Sequence, residues 1–397
     1  MKITRRFFAS VILLSSLAFA LAGAMHKSDA PTHYLAFVGT YTNKTDSKGI
    51  YAFDFDSATG MLTQKGVAAE TPDPSWVAVH PNSKFVYATN EAGKRSTITA
   101  FSLDANTGKL TQLNQVPAQG EDPCHLSFDK TGKYLFVANY SSGTVAVFPV
   151  LSDGKLGEPT ATVKDAGPLG PNKERQEAPH AHWIQASQDG GSVYVADLGL
   201  DQVIKYQFDS ANGKLSGPSR LSHFSNRQYD PSVRLDPGTG PRHAVLSRDG
   251  IQMYVLGELQ STVTVFHLMG TDDYVPTAFQ RISTLPKGFS GRNDTAEITV
   301  HPNGKWLFAS NRGRDTIAVF TIDSASGTLH PAGEFPTGGK EPRHFAIDPT
   351  GHFLLAENQN SNSIAVFRIN PATGALTQSG EAVSVPAPVC LAFLASR

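Results

Sequence analysis

Cysteine is nearly absent from this chain. Its 397 residues include two, Cys124 and Cys390, so no disulfide framework or cysteine-ligated metal cluster can organise the fold. A bridge between the two is open but not expected, because they fall in different repeats. Charge of one sign is also lacking. The 34 Lys and Arg balance 35 Asp and Glu, for a net charge of −1, which gives no footing for nucleic acid or an anionic membrane surface. Long apolar runs are missing beyond residue 22, so no transmembrane helix is expected after that point. There is no G-x-S-x-G elbow, no cysteine–histidine nucleophile signature, no glycine-rich nucleotide loop and no zinc-type motif.

Turns and short strands are abundant. The 35 Gly and 25 Pro are spread along the chain. The stretch 240–258, GPRHAVLSRDGIQMYVLGE, shows the unit: two apolar runs joined by Arg248-Asp249-Gly250. Strands joined by a tight turn run antiparallel, so Arg242 and His243 should meet Glu258 at one edge of the hairpin. The unit recurs about every 47–62 residues, beginning at Pro74, Pro123, Pro179, Pro241, Thr295 and Pro342. First strands such as CHLSF and RHFAI precede turns such as KTG and PTG, and second strands such as YLFVANY and FLLAENQ follow. A third strand, a turn and a short fourth strand complete each unit, and β-branched and aromatic residues dominate.

Both chain ends carry partial units. Residues 34–41 and 49–56 read as second and third strands with no first strand before them. PVCLAF at 388–393 supplies the missing pattern. The expected fold is therefore an all-β, seven-bladed propeller of four-stranded antiparallel blades, with the C-terminal strand completing the N-terminal blade. Closure in this way leaves no open edge. The expected organisation is a signal peptide over 1–24, a short linker over 25–33 and a single propeller domain over 34–397. Lys2, Arg5 and Arg6 precede an apolar run and A-x-A cleavage patterns, as in a secretory signal of general or twin-arginine type. An exported protein, periplasmic or secreted, is expected.

In a propeller the first strands line the central channel, and their starts share one face with the ends of the second strands. That face collects His125, His182, Arg242, His243, Glu297, Arg343 and His344 from the first set, with Asp197, Glu258, Arg312 and Glu357 from the second. Insertions at 167–178, 225–239 and 286–293 emerge on the same face. Arg242 and Arg312 offer planar forks for a carboxylate or phosphate. Glu258 suits a general base if burial raises its pKa, and His182 a proton donor near neutral pH. The recurrent Asn139, Asn311 and Asn358 read as turn-forming residues, and Trp76 and Trp183 as wall packing. His180-Ala181-His182 could pair on a metal with His125 or His243, but no metal or other cofactor is expected.

GPRHAVLSRDG, VADLGLDQV, AEITVHPNGKWLFASNRG and EPRHFAIDPTGHFLLAENQ resemble the lactonase family of seven-bladed propellers. That family includes propeller-type 6-phosphogluconolactonases and carboxymuconate-cyclising enzymes. The resemblance implies lactone chemistry without a metal. In the muconate-cyclising branch it implies a site of two Arg, a Glu and a His, which carry over to Arg242, Arg312, Glu258 and His182, with His180 as the alternative histidine. The catalytic set is thus Glu258, Arg242, Arg312 and His182, with His125, His180, His243, Glu297, Arg343 and His344 binding substrate. The expected activity is hydrolysis of a small anionic, sugar-acid type lactone, with a lactonising cycloisomerase as the alternative enzyme reading. The non-catalytic alternative is an exported ligand-binding propeller, since FVYATNE and LFASNRG also resemble those. A monomer is expected, with no nucleic-acid partner and no membrane contact once the signal is removed.

Overall fold

Each repeat alternates residues between two faces, and neither face is left to solvent. The second strands Tyr134–Asn139, Ser192–Asp197, Gln252–Gly257 and Phe353–Asn358 are buried along their whole length. Burial on both sides requires a neighbouring sheet on each side, which a ring provides. The computed structural model describes residues 32–217, 233–268 and 277–394. The signal peptide expected over 1–24, most of the linker and part of the 225–239 insertion lie outside them. In the described residues seven antiparallel sheets are present, each ordered outward from an inner strand. We number the blades from the N-terminus.

The first blade is the split one. Its inner strand, Pro388–Phe393, pairs with His33–Thr40, with Val38 opposite Leu391 and Gly39 opposite Cys390. Gly49–Asp56 and Met61–Glu70 complete it. Fourth and seventh blades carry their outer edge in two pieces. Val233–Arg234 pairs with the third strand beyond Lys214–Ser216, and Val383–Ser384 does so beyond Leu376–Gln378. The turn after each inner strand ends on Gly132, Gly190, Gly250, Gly304 or Gly351, all with φ between 71° and 76°, a conformation glycine reaches without cost. In the second blade Ser83 occupies that place at φ 60°.

The apolar core falls into seven clusters, one at each blade interface. The cluster at the closing joint packs Tyr34, Phe53, Phe55 and Leu391 against Phe353, Leu355, Ile364 and Val366. Phe55 meets Phe353 edge-on at 5.7 Å. Truncation after Val385 would remove the inner strand and bare His33–Thr40 as an edge. The truncated chain is expected to aggregate or lose its cooperative melt. A truncated chain that melts like the parent in a thermal scan would refute ring closure as a source of stability.

The recurrent asparagines join blades rather than form turns. Asn90, Asn139, Asn311 and Asn358 each donate from Nδ2 to a carbonyl of the preceding blade: Pro72 at 2.6 Å, Ala118 at 3.1 Å, Thr284 at 3.2 Å and Thr337 at 3.0 Å. In the fourth blade Asp197 stands in their place and meets the Asp165 carboxyl instead. Burial and the neighbouring Asp197 push the Asp165 carboxyl well above its usual range, and the Tyr206 hydroxyl donates to it at 2.5 Å. Cys124 and Cys390 are free and buried.

Candidate active site

The chemistry on the mouth face begins with a recurrent backbone irregularity. The inner strand carries one extra residue near its start in six blades. The register steps from Pro123 to His125, Ala181 to Trp183, Pro241 to His243, Thr295 to Ile298, Pro342 to His344 and Pro388 to Cys390. A bulged residue is left out of the ladder and its side chain is re-aimed. Cys124, His182, Arg242, Arg343 and Val389 occupy five of these bulges, and Ala296 with Glu297 the sixth. The bulge therefore places charged and titratable groups at the channel entrance while the strand below stays apolar.

Arg242 and Glu258 meet as the hairpin requires, with Nε 3.0 Å from Oε2. Glu258 follows Gly257, where a Cβ would lie 2.4 Å from Thr239 Cγ2, so only glycine lets the strand end so close to its neighbour. Oε1 of Glu258 lies 3.2 Å from Arg312 Nη2 and 2.6 Å from Arg175 Nη2. Arg312 also donates to the Thr295 carbonyl at 3.1 Å. Three guanidiniums thus face one carboxylate. Burial would raise the Glu258 carboxyl, but Arg312, Arg242 and Arg175 outweigh it and bring it down to about 2. The expectation of a raised pKa is reversed: at neutral pH this carboxylate is a very weak base. Burial and the charges of Arg312 and Arg343 draw Arg242 down to about 9, still charged at neutral pH.

Behind Arg242 runs a chain of charges across the ring. Arg242 Nη1 donates to the Ala296 carbonyl and approaches His243 Nε2 at 3.4 Å. His243 Nδ1 is 3.0 Å from Glu297 Oε2, and that oxygen is 3.5 Å from His344 Nε2. His344 Nδ1 reaches Glu357 Oε2 at 2.7 Å. This geometry fixes one tautomer for a neutral His243, with Nδ1–H donating to Glu297 and Nε2 accepting from Arg242. Burial, despite the pull of Glu297, lowers His243 to about 4. His344 is lowered by burial but raised more by Glu357 and Glu297, for a net rise. The Trp76 ring packs among His125, His243 and His344 at centroid distances of 4.3, 5.5 and 5.3 Å. Trp76 therefore floors the site across the channel, where the sequence suggested wall packing; Trp183 packs beside His125 at 6.1 Å.

His182 lies against His243 at 5.1 Å and Tyr140 at 5.5 Å. It is 5% exposed, and its buried Nδ1 has no hydrogen-bond partner. Burial, with Arg242 and His243 next, puts its pKa well below 6.5, so the ring is neutral at pH 7. The resting ring therefore carries no proton to donate and must first take one up. Arg312 Nε is likewise buried with no partner. His125 is buried and pushed well below 6.5 by burial, then by the charges of His243, Arg242 and His344. Arg343 lies 5.4 Å over the Tyr41 ring, whose hydroxyl donates to Glu91 at 3.0 Å. Tyr41 and Glu91 also line a polar cavity of about 1050 Å³ opening on the same edge, with Asp73, Arg95, Asp122 and Asn360.

The structure thus links Arg242, Glu258, Arg312, His243, Glu297 and His344, with His182, His125 and Arg343 bordering them. His180 stands apart. It stacks on Tyr140 at 4.4 Å, with Nδ1 3.0 Å from the Tyr140 carbonyl and Nε2 3.1 Å from Glu177, so both ring nitrogens are engaged. Sequence reading missed Arg175; it put Tyr140 and Trp76 on this face but gave Tyr140 no role and Trp76 only wall packing. Arg175 lies in the 167–178 insertion, which topology had placed on this face, but no repeat register singled it out. Among the described residues no group of three or more His, Cys, Asp or Glu is arranged to hold a metal ion.

Residues 35–393 match the family described as lactonase, seven-bladed β-propeller. The chain is 35% identical to a 6-phosphogluconolactonase of Bacillus subtilis over 91% of its length and 99% of the relative's. It is 32% identical to a 6-phosphogluconolactonase of Formosa agariphila over 78% of this chain and 85% of that one. Among solved structures, a periplasmic gluconolactonase of Pseudomonas aeruginosa superposes with a TM-score of 0.83 at 32% identity, covering 91% of this chain and 99% of the other.

Proposed function

Because the chain belongs to the seven-bladed β-propeller lactonase family, we propose that it hydrolyses a small anionic lactone of the sugar-acid type at the mouth between its fourth and seventh blades. The observation that carries the residue assignment is that four buried atoms of the charged cluster, His182 Nδ1, Arg312 Nε, Arg242 Nε and Glu357 Oε1, make no hydrogen bond. Buried polar atoms without partners are uncommon and call for one, here the substrate and the attacking water.

The arginines act as electrophilic groups. Arg312 Nε and the Arg242 guanidinium hold the lactone carbonyl as negative charge develops on its oxygen. His182 takes a proton from water as the water oxygen bonds to the carbonyl carbon. Collapse of the tetrahedral intermediate breaks the ring C–O bond, and the His182 imidazolium returns its proton to the departing ring oxygen. Glu258 does not change protonation; it keeps the guanidiniums converged. His243, Glu297 and His344 hold Arg242 from behind, and His180 holds Tyr140, so these four support the site rather than touch substrate.

The resting enzyme suppresses its own base, and an anionic substrate relieves this. Burial first, then the charges of Arg242, His243 and Arg343, lower the His182 pKa. An anion seated among the arginines offsets that charge and lifts the imidazole toward neutrality, where a general base works best. Export remains part of this proposal. It is supported by the basic and apolar start of the sequence and by the periplasmic relative. No helix among the described residues is long and apolar enough to cross a membrane.

The test is a panel of lactones in a pH-stat with the mature protein, before and after exhaustive EDTA dialysis. Hydrolysis of an anionic lactone, retained after dialysis, is expected. Loss of activity restored by zinc or calcium alone would move the chemistry to His180, His182 and a third ligand. No turnover of any lactone would leave the binding-module reading in its place.

A further inference from the structure

Arg175 differs from the other two guanidiniums on Glu258 in origin and exposure. It belongs to no blade, lying on the connection between the outer strand Ala161–Lys164 and the inner strand Ala181–Ala186. Its side chain is 35% exposed, against 3% for Arg242 and 10% for Arg312. The connection is nevertheless firmly built. Asn172 Oδ1 accepts from the amides of Glu174 and Arg175 at 3.1 and 3.2 Å, and its carbonyl from the amide of Gln176 at 2.7 Å. The buried Gln176 side chain donates to the Leu198 carbonyl at 2.9 Å and to Asp201 Oδ1 at 2.8 Å. A Cβ at Gly170 would fall 2.2 Å from Gln176, so glycine is required for that packing. The Tyr140 hydroxyl lies near enough to the Arg175 guanidinium to act on its charge, and the Tyr140 ring stacks on His180 at 4.4 Å.

We propose that Arg175, with the Tyr140 hydroxyl beside it, reads the anionic group at the far end of the substrate, exchanging Glu258 for that anion when the site fills. Surplus charge favours this exchange. Three guanidiniums meet Glu258, and Arg312 also reaches Glu341 Oε1 at 3.8 Å; three cations on two carboxylates leave excess positive charge in a largely buried place, which is unfavourable until an anion joins. Arg175 can turn at the least cost, because it is the most hydrated of the three and supports no strand. Glu258 keeps Arg242 and Arg312 when Arg175 leaves, so the reacting end stays assembled. The planar fork matches a phosphate or a carboxylate and gains nothing from a neutral hydroxymethyl group.

This inference rests on the lactone reading, and the experiment separates the two. Arg175→Gln and Arg175→Lys are made in the mature chain and assayed on one six-membered aldonolactone in three forms: neutral, 6-phosphorylated and 6-carboxylated. The ratio of kcat/KM for the anionic to the neutral form is expected to fall about 10–100-fold in Arg175→Gln, the worth of a charged hydrogen bond, and less in Arg175→Lys. The fall should lie in KM. Whichever anionic form loses most identifies the group that is read. An unchanged ratio, or equal losses on all three forms, overturns the proposal. Calorimetric binding of inorganic phosphate serves as a readout independent of turnover. Weaker binding by Arg175→Gln than by the parent supports the assignment even if no lactone is hydrolysed. Equal binding, or no binding by the parent, refutes it.

Discussion

His182→Gln is expected to lower kcat about 10²–10⁴-fold, the usual worth of a general base, with a melting temperature close to that of the parent. Glutamine fills much of the imidazole's space and offers polar atoms to the same pocket, but it neither takes nor returns a proton at neutral pH. His182 Nδ1 has no protein partner, so its replacement removes no hydrogen bond there. The pH profile supplies a second signature. The base works neutral and its pKa lies well below 6.5 in the resting enzyme, so kcat/KM should be flat through neutral pH and fall only on the acid side. The acid limb of kcat, which reports the substrate complex, should lie at higher pH, because a bound anion offsets the charges of Arg242 and Arg343. With a neutral lactone the two limbs should draw together. Near-normal kcat in His182→Gln would overturn this assignment.

The origin of that base shows what the sequence could and could not tell. The hairpin 240–258 was legible, since a short turn and two apolar runs oblige Arg242 to meet Glu258, and they do at 3.0 Å. Ring closure was legible too, because a missing first strand at one end and a spare one at the other have one joint solution. The bulges were not. An extra residue in a strand leaves the apolar alternation almost unchanged, yet it decides which way His182, Arg242 and Arg343 point. The protonation of Glu258 was equally hidden. Burial raises a carboxyl and arginines lower it, and the sign depends on how many guanidiniums converge. Arg175 adds to the pull of Arg312 and Arg242 from an insertion, and an insertion has no register from which to single out one residue.

Glu258→Gln is the second variant with a large expected effect, and it should act on folding and on substrate capture. At neutral pH the parent carboxylate is fully ionised and holds Arg175, Arg242 and Arg312. Glutamine can accept one hydrogen bond but carries no charge, so Arg242, 3% exposed, would be buried without a counterion. Breaking a buried pair from one side costs about 3–5 kcal/mol, which should appear as a clear fall in melting temperature. The sign of its pH dependence follows from the carboxyl. Its folded pKa, about 2, lies below the ordinary 4.5, so its stabilisation is complete above that ordinary value and lost as pH falls through the folded one. The gap in melting temperature between parent and variant should therefore be widest at pH 7 and narrow between pH 4.5 and 2. Added phosphate should restore part of the stability at pH 7 by standing in for the missing charge among the guanidiniums, and this keeps the test usable if the variant is only marginally folded. Scanning calorimetry from pH 3 to 7, with and without phosphate, checks each expectation. If Glu258→Gln instead melts like the parent and loses kcat alone, Glu258 is the base after all, and His182 must give up that role.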